Sequence, residues 1–465
     1  MSDTQTLKAN KSASTGGNGD NVLLSAFHEI GRVLRENIRN SVMFIVLIAI
    51  VIIFAIWSGG AFISAFNLTN LVTQTAVVGI MACGMTLVII IRHIDLSVGY
   101  MCGFLGAMAA IFMMQLNLPS GLSIIIVLAI GAAIGLVIGI LVGKVGIPAF
   151  VVTLGAMIVG HGLELLATSS HGTISINNKF FNALGTGYIP SFTKIGGLKD
   201  TTVIIGLILI VLYIVLQIRG RLRQHRYSFA VEPMWWFILK LVLLCALIGF
   251  LTYRFAQLNG ISWALIILGV VTLVVSTIQT RTRFGRHVYG TGGNPEAAEL
   301  SGVSVARVTI IVFVIMGLLV ALAGILLASR MVSASPTAGV GFELLVIAGC
   351  FIGGCSPAGG IGKVTGSVIG ALIMQSLVNG MTLKGVNISW QYIIQGAILV
   401  LAVLFDVLSR RIAAANALSA STSASADDQM TPPVEDLALA GGGPVAAVAA
   451  QVNPPVQPAA GTATP

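Results

Sequence analysis

"GLSIIIVLAIGAAIGLVIGILV", residues 121–142, determines the class of fold. The run contains no charged side chain, and it is long enough to cross a bilayer as a helix, which takes about 20 apolar residues. The chain of 465 residues is 56% hydrophobic and only 9% charged, so a soluble fold would have too few charges to cover its surface. The stretch therefore indicates an integral membrane protein.

Similar apolar runs recur along the chain and predict an all-α, polytopic helical bundle. The candidate spans are residues 41–62, 71–91, 96–115, 121–142, 148–168, 201–218, 235–252, 261–279, 309–329, 343–360, 364–380 and 391–408. The run at 343–360 is interrupted by glycines and Pro357, which is typical of a short or re-entrant helix. We therefore expect about ten to twelve transmembrane helices.

The basic residues predict the orientation. If the N-terminus is cytoplasmic and the spans alternate, eighteen of the 25 lysines and arginines fall inside, six fall outside and one lies within a span. Because cytoplasmic loops are enriched in these residues, the bias favours an N-in, C-in arrangement. It predicts a cytoplasmic segment at 1–40, a transmembrane domain at 41–411, an inner loop at about 281–308 and an outer loop at about 169–200. The remaining residues, 412–465, are rich in Ala, Ser and Pro, and we expect a disordered cytoplasmic tail.

The inner loop contains a polar stretch, "GTGGNPEAAELSGVSV" at 290–305. Asn294 can cap a helix that begins at Pro295, and Glu296 in the first turn suits the helix dipole. The helix should end near Gly302. From the residues alone, the stretch is either a solvated connecting helix or a protruding helix whose small-residue face docks onto another protein.

Two other polar features lie at or within predicted spans. In "RHIDLSVG", residues 92–99, Asp95 is expected to cap the incoming helix and to pair with Arg92. His161 and Glu164 are spaced i,i+3 within one span. They predict either an interhelical hydrogen bond or a lining of the water-filled path.

The sequence lacks the patterns of catalytic, metal and cofactor sites. The five cysteines lie in apolar runs without a CxxC or Cys/His cluster, so neither a metal site nor a disulfide framework is predicted. The stretch "GIGKVTG" at 360–366 has a lysine but not the following Ser or Thr of a phosphate-binding loop. If ATP drives this protein, hydrolysis must therefore take place on another chain.

Several stretches resemble known permeases. "EAAELSG" in the inner loop resembles the EAA-x3-G core of the loop by which permeases of bacterial ABC importers engage their ATPase, although the usual Leu-Pro is absent. Most of 41–411 resembles the branched permease family that includes the ribose and xylose permeases. The likeness is to the multiple-monosaccharide permeases in particular through "VEP" at 231–233 and "NGM" at 379–381. The longer stretches that carry it are "GMTLVIIIRHIDLSVG" (84–99), "IPAFVVTLGAM" (147–157), "FGRHVYGTGGNPEAAELSGV" (284–303) and "AGVGFELLVIAGCFIGGCSPAGGIGKVTGSVIGALI" (338–373).

The resemblance implies the transmembrane permease subunit of an ATP-driven ABC importer, in the cytoplasmic (inner) membrane of a bacterium. The substrate would be a monosaccharide, a pentose or hexose such as xylose, arabinose, galactose or ribose. The chain would bind no cofactor, because ATP is used by a partner ATPase. The other expected partners are an extracytoplasmic sugar-binding protein, a second permease copy and membrane lipid, with no nucleic acid.

The expected functional residues form three sets. Those for coupling to the ATPase are Asn294, Glu296, Ala297, Ala298, Glu299 and Gly302. Those of a structural or gating motif are Asp95, Ser97, Gly99, Gly359, Gly360 and Gly362. Candidates for the translocation path are Phe150, Thr153, His161 and Glu164. The alternative function is a proton-coupled secondary transporter that uses His161 and Glu164 as a proton relay; the helix in 290–305 disfavours it, since a stand-alone carrier has no need of that helix.

Overall fold

The computed structural model describes residues 38–169, 172–195, 197–227 and 234–428. Helices account for most of this part of the chain. The first are α1 (Ile38–Trp57), α2 (Ala65–Ile90), α3 (Val98–Met114), α4 (Ser120–Gly143), α5 (Ala149–Thr168), α6 (Lys179–Thr186) and α7 (Asp200–Arg226). They are followed by α8 (Met234–Ala256), α9 (Trp263–Arg281), α10 (Arg283–Gly293), α11 (Pro295–Leu300), α12 (Val305–Met331), α13 (Phe342–Ile352), α14 (Val364–Leu383) and α15 (Ile388–Asp428). The short strands are β1 (Ile174–Ser175), β2 (Lys194–Ile195), β3 (Leu198–Lys199) and β4 (Ser333–Ala334).

The all-α membrane fold predicted from the sequence is confirmed. Among the described residues, nine helices are long and apolar enough to cross a membrane, namely α2, α4, α5, α7, α8, α9, α12, α14 and the part of α15 at Ile388–Leu408. Three shorter apolar helices, Met43–Trp57, α3 and α13, take the places of the other predicted spans. The run at 343–360 is indeed broken, because α13 ends at Ile352 and turns follow as far as α14.

Helix α2 forms the centre of the bundle. In its most apolar window 94% of the residues are buried, whereas none are in the corresponding window of α8, whose apolar side chains face outward. Helices α4 and α12 pack closely through small residues. A Cβ atom added at Gly131, Gly135 or Gly317 would collide with the facing helix. Close contact of this kind replaces the hydrophobic effect, which does not drive helices together in lipid.

The predicted outer loop is an ordered structure over much of its length. Strand β1 pairs antiparallel with β4, and β2 pairs with β3. The hydroxyl of Ser329, near the end of α12, donates to the carbonyl of Phe181 (2.6 Å) and accepts from the N–H of Gly185 (2.7 Å). The loop is thereby fixed to the end of α12, while Phe192 at its surface is 91% exposed.

The first part of the predicted tail is helical, whereas the sequence predicts disorder there. Helix α15 continues to Asp428, so residues 412–428 are helical rather than disordered. The alanine-rich composition there explains the difference, because alanine has the strongest intrinsic helix propensity. The rest of the predicted tail, the N-terminal segment up to residue 37 and the stretch 231–233 lie outside the described residues.

Candidate functional site

Helix α11 forms at the predicted place and for the predicted reasons. The side chain of Asn294 accepts a hydrogen bond from the N–H of Ala297 at 3.0 Å, and Pro295 occupies the first helical position. Gly302 then ends the helix with a φ of 83°. The N–H of Gly302 binds the carbonyl of Glu299 (2.8 Å), and Val303 binds that of Ala298 (3.0 Å). This pair of bonds is a Schellman motif, which explains why a glycine with positive φ ends the helix.

The exposed face of α11 differs from the predicted one. Glu296, Ala297 and Glu299 are exposed, but Ala298 is only 8% exposed and packs within the chain. The prediction that Ala298 offers surface to a partner is therefore wrong, because the helix turns this position inward. Sequence reasoning missed Leu300, which is 90% exposed. A single large apolar residue at the end of a polar helix was the available signal.

Arg92 joins the end of α2 to the segment before α11. Its Nε donates to the carbonyl of Gly292 (2.7 Å), and its terminal nitrogen donates to the carbonyl of Gly293 (2.5 Å). The residue has a φ of 66°, which is uncommon for a side chain larger than glycine. Asp95 is buried and accepts hydrogen bonds from the N–H (2.9 Å) and hydroxyl (2.6 Å) of Ser97. The predicted pair between Arg92 and Asp95 is therefore wrong, since the left-handed backbone directs the guanidinium to α10.

Glycines let the backbone approach closely at this junction. The N–H of Gly360 donates to the carbonyl of Ile90 at 2.9 Å. A Cβ at Gly292 would collide with the same carbonyl, and one at Gly359 would collide with Arg92. Gly359 and Gly360 also have positive φ values of 80° and 70°. These two predicted motif residues therefore lie against Gly292 and Gly293 at the end of α10, where only glycine fits without strain.

The carbonyl of Gly362 forms hydrogen bonds with side chains of two further helices. It accepts from the hydroxyl of Tyr289 on α10 (2.6 Å) and from the side-chain amide of Gln279 on α9 (3.3 Å). The side-chain oxygen of Gln279 accepts a hydrogen bond from the N–H of Val364, the first residue of α14 (3.1 Å). Burial raises the pKa of Tyr289, whose hydroxyl therefore stays neutral and can donate this hydrogen bond. The ends of α2, α9, α10 and α14 thus meet in one hydrogen-bonded junction, called here the coupling junction.

The remaining predicted motif residue lies elsewhere. Gly99, in the first turn of α3, packs against the segment that leads into α13. A Cβ there would collide with the carboxylate of Glu343 and lie 2.6 Å from the carbonyl of Gly339. Gly99 therefore permits a close helix contact, away from the coupling junction.

The four residues proposed for the translocation path all lie on α5, where they have different surroundings. Phe150 is exposed on α5, whereas the hydroxyl of Thr153 is buried and donates to the carbonyl of Ile94 at 3.3 Å. His161 packs edge-on against Tyr100, with ring centroids 4.6 Å apart. Thr153 and His161 therefore make contacts within the chain.

Glu164 is fully buried, and a Cβ on Gly103 of α3 would collide with its carboxylate. None of the described side chains donates a hydrogen bond to this carboxylate. The predicted interhelical hydrogen bond between side chains is therefore not formed by Glu164.

A cavity of about 710 Å³ lies at the other end of α2. It is bounded by the first half of α2, the end of α12 and the second half of α14. Its polar lining consists of Ser64, Asn67, Asn70, Gln74, Arg330, Gln375, Asn379 and Thr382. Sequence reasoning missed this site, although the amides on α2 recur at i, i+3 and i+7 and those on α14 at i and i+4, which places each set on one helix face.

Helices α2 and α14 connect the cavity to the coupling junction. Each has polar residues of the cavity in one half and the coupling junction at its other end. Between these ends, the hydroxyl of Thr86 on α2 donates to that of Ser367 on α14 at 2.7 Å. The two helices therefore form a continuous path between the two sites.

Comparison with known proteins agrees with this architecture. Residues 67–403 match the family described as "Branched-chain amino acid transport system / permease component". The chain is 39% identical over 375 residues to the xylose transport system permease protein XylH of Escherichia coli (strain K12), covering 81% of this chain and 93% of that protein. It is 37% identical over 375 residues to XylH of Haemophilus influenzae, covering 80% and 98%.

A third relative is the ribose import permease protein RbsC of Escherichia coli (strain K12). It is 34% identical over 362 residues, covering 77% of this chain and 92% of that protein. No solved structure matches the chain. The family match and the apolar helices together identify the chain as a multi-pass membrane transport protein that belongs to the branched-chain amino acid transport system permease family.

Proposed function

We propose that this chain is the transmembrane permease subunit of an ATP-driven ABC importer, and that it translocates a monosaccharide, a pentose or a hexose. The observation that carries the proposal is α11, an exposed helix whose preceding residues are hydrogen-bonded to the core helix α2 through Arg92. A stand-alone carrier has no need of such a protruding helix. The similarity to permeases named for xylose and ribose supports a sugar as the substrate.

The proposal fixes an orientation. Both termini and α11 face the cytoplasm of a bacterium, and the chain lies in its inner membrane. The excess of lysine and arginine in the loops on the α11 side supports this arrangement. The amide-lined cavity then opens toward the outside, where sugar arrives.

The proposal also assigns the partners. A cytoplasmic ATPase binds α11 and hydrolyses ATP, because the sequence of this chain contains no phosphate-binding loop. The chain itself is proposed to bind no cofactor. An extracytoplasmic sugar-binding protein docks on the ordered outer loop, where Phe192 is exposed. A second copy of the permease completes the membrane unit, and lipid surrounds the apolar faces of α7 and α8.

In the proposed mechanism, movement of the ATPase displaces α11 and the coupling junction together. Arg92 and the backbone bond of Gly360 transmit the displacement to the end of α2. Because α2 and α14 are continuous helices, the displacement reaches the amide-lined cavity and exposes it alternately to the two sides. No nucleic acid takes part.

The test uses the exposed end of α11. Replacing Leu300 by Asp leaves the fold intact, because the side chain is 90% exposed. Burial of a leucine contributes ~1.5–3 kcal/mol, so ATPase co-purification should fall about tenfold or more, since ~1.4 kcal/mol is a factor of ten. The matched control is Phe192→Asp, an equally exposed apolar residue in the outer loop. Equal recovery of the ATPase with Leu300→Asp and with the unmodified chain would contradict the proposal.

A further inference from the structure

We infer that the amide-lined cavity is a binding site for the hydroxyl groups of an uncharged monosaccharide on its passage through the permease. This inference rests on the proposed function, which it deepens by naming where the substrate is held in the membrane. It concerns residues outside the coupling junction, and its test is therefore separate from that of the ATPase contact.

The amides of the cavity form a network between helices. The side-chain nitrogen of Asn67 donates to the side-chain oxygen of Asn379 at 2.9 Å. The oxygen of Gln74 accepts from Gln375 at 3.0 Å and from Asn379 at 3.4 Å. Each amide offers both donors and acceptors. These bonds use only one end of the amides of Gln74 and Gln375, so the network can also exchange hydrogen bonds with a ligand.

This chemistry matches a sugar. A hydroxyl group is at once a donor and an acceptor, and side-chain amides of Asn and Gln present both functions. Pockets for small molecules combine such polar groups with apolar walls over about 300–1,000 Å³. The cavity of about 710 Å³ falls in this range and has room for a single monosaccharide with water. Its apolar wall includes Phe66 and Phe342, whose rings can face the C–H groups of a sugar.

The charge of the cavity argues against an amino acid as the ligand. None of the described residues that line it is acidic, so nothing there would neutralise an α-ammonium group. Glu343, next to the lining residue Phe342, is turned toward Gly99 instead. The basic group of the lining, Arg330, donates to the amide oxygen of Asn70 at 2.8 Å. Arg330 carries several donors and no acceptor, which suits the oxygen atoms of a sugar.

The cavity is accessible from the side opposite α11. Phe66 is 71% exposed, and Thr382 and Leu383 are exposed as well. These residues surround the mouth, whereas Asn67, Gln375 and the rest of the network lie deeper and are mostly buried. A sugar released by a docked binding protein would meet the mouth first and the amides afterwards.

The experiment measures whether a sugar protects the mouth from a thiol reagent. The chain carries Thr382→Cys in a Cys245→Ser background, because the other native cysteines are buried. The complex with the ATPase is placed in nanodiscs and labelled with an impermeant maleimide in the presence of D-xylose, D-ribose, L-arabinose or D-galactose. We expect at least one of these sugars to slow the labelling of the new cysteine, and L-leucine to have no effect.

Further variants test the assignment of the amides. Adding Gln74→Met or Gln375→Met removes hydrogen-bonding groups at nearly constant volume. The sugar concentration that gives half protection should rise about tenfold. This change corresponds to a loss of binding free energy near the upper end of the net contribution of one hydrogen bond. The control is Thr86→Val, which removes a hydrogen bond between the same two helices outside the cavity and should leave the protection curve unchanged.

The inference is overturned if none of the four sugars slows the labelling, or if L-leucine protects and they do not. It is also overturned if both Gln variants give the protection curve of the Thr86→Val control. ATP-driven uptake is measured on the same preparations. If ATP-driven uptake persists but no sugar protects the new cysteine, the cavity assignment alone is refuted. If uptake is independent of ATP, the proposed function is refuted.

Discussion

The guanidinium of Arg92 donates to the carbonyl of Gly292 at 2.7 Å, across about two hundred residues of sequence. A second bond of the same guanidinium reaches Gly293. Both carbonyls lie at the end of α10, immediately before the cap of α11. The bond therefore attaches the exposed helix to the last residues of α2, the most buried helix of the bundle. A displacement of α11 cannot leave α2 unaffected while these bonds hold.

Replacing Arg92 by Gln should uncouple the permease without dissociating the complex. Hydrogen bonds of a charged donor contribute about 1.5–3 kcal/mol each, so their loss should reduce sugar-stimulated ATP hydrolysis about tenfold or more. The ATPase should still co-purify, because the exposed face of α11 is unchanged. The control is Arg286→Gln, since the side chain of this exposed arginine bonds to the carbonyl of Thr282 at the start of α10 and, among the described residues, does not reach α2. Full stimulation in Arg92→Gln would rule out this connection as the coupling element.

Replacing Gly359 by Ala should destabilise the coupling junction. The position has a φ of 80°, and a Cβ would collide with Arg92. A residue forced into such a conformation costs about 1–3 kcal/mol. We expect a lower melting temperature and weaker sugar-stimulated ATP hydrolysis. Gly249→Ala is the matched control, because a Cβ meets nothing within 4 Å there and alanine favours the helix. Equal melting temperatures of the two variants would count against the packing described here.

Replacing Glu164 by Gln should leave ATP-dependent uptake nearly normal. The side chain is buried beside α3 and does not line the amide-lined cavity. The amide has almost the same shape, so the packing is preserved. Uptake of radiolabelled sugar into cells, at matched expression, is the measurement. Complete loss of uptake would support the proton-coupled alternative, in which His161 and Glu164 carry protons.

Features encoded locally could be predicted from the sequence. The cap at Asn294, the proline after it and the glycine that ends α11 act within a few residues of one another, so their pattern is sufficient. The interruption between α13 and α14 follows in the same way from its glycines and proline. The apolar spans follow from the length needed to cross a bilayer.

Features that depend on distant parts of the chain could not be predicted. Which side of α11 is buried depends on tertiary packing, and Ala298 was therefore misassigned. The sequence spacing predicts a pair between Arg92 and its neighbour Asp95, whereas the left-handed backbone of Arg92 directs its side chain to Gly292. The cavity unites residues of α2, α12 and α14 that are separated by hundreds of positions. The amides recur on one face of α2 and on one face of α14, but the sequence does not indicate that these two faces meet.

The most direct test of the account is the energy source of uptake. The permease is reconstituted into proteoliposomes with the ATPase and the sugar-binding protein of the same bacterium. Accumulation of radiolabelled D-xylose, D-ribose, L-arabinose and D-galactose is then followed with and without ATP on the α11 side. We predict that at least one sugar accumulates only with ATP and that a protonophore does not stop it. Uptake that is abolished by a protonophore and unaffected by ATP depletion would contradict the central claim that ATP drives import.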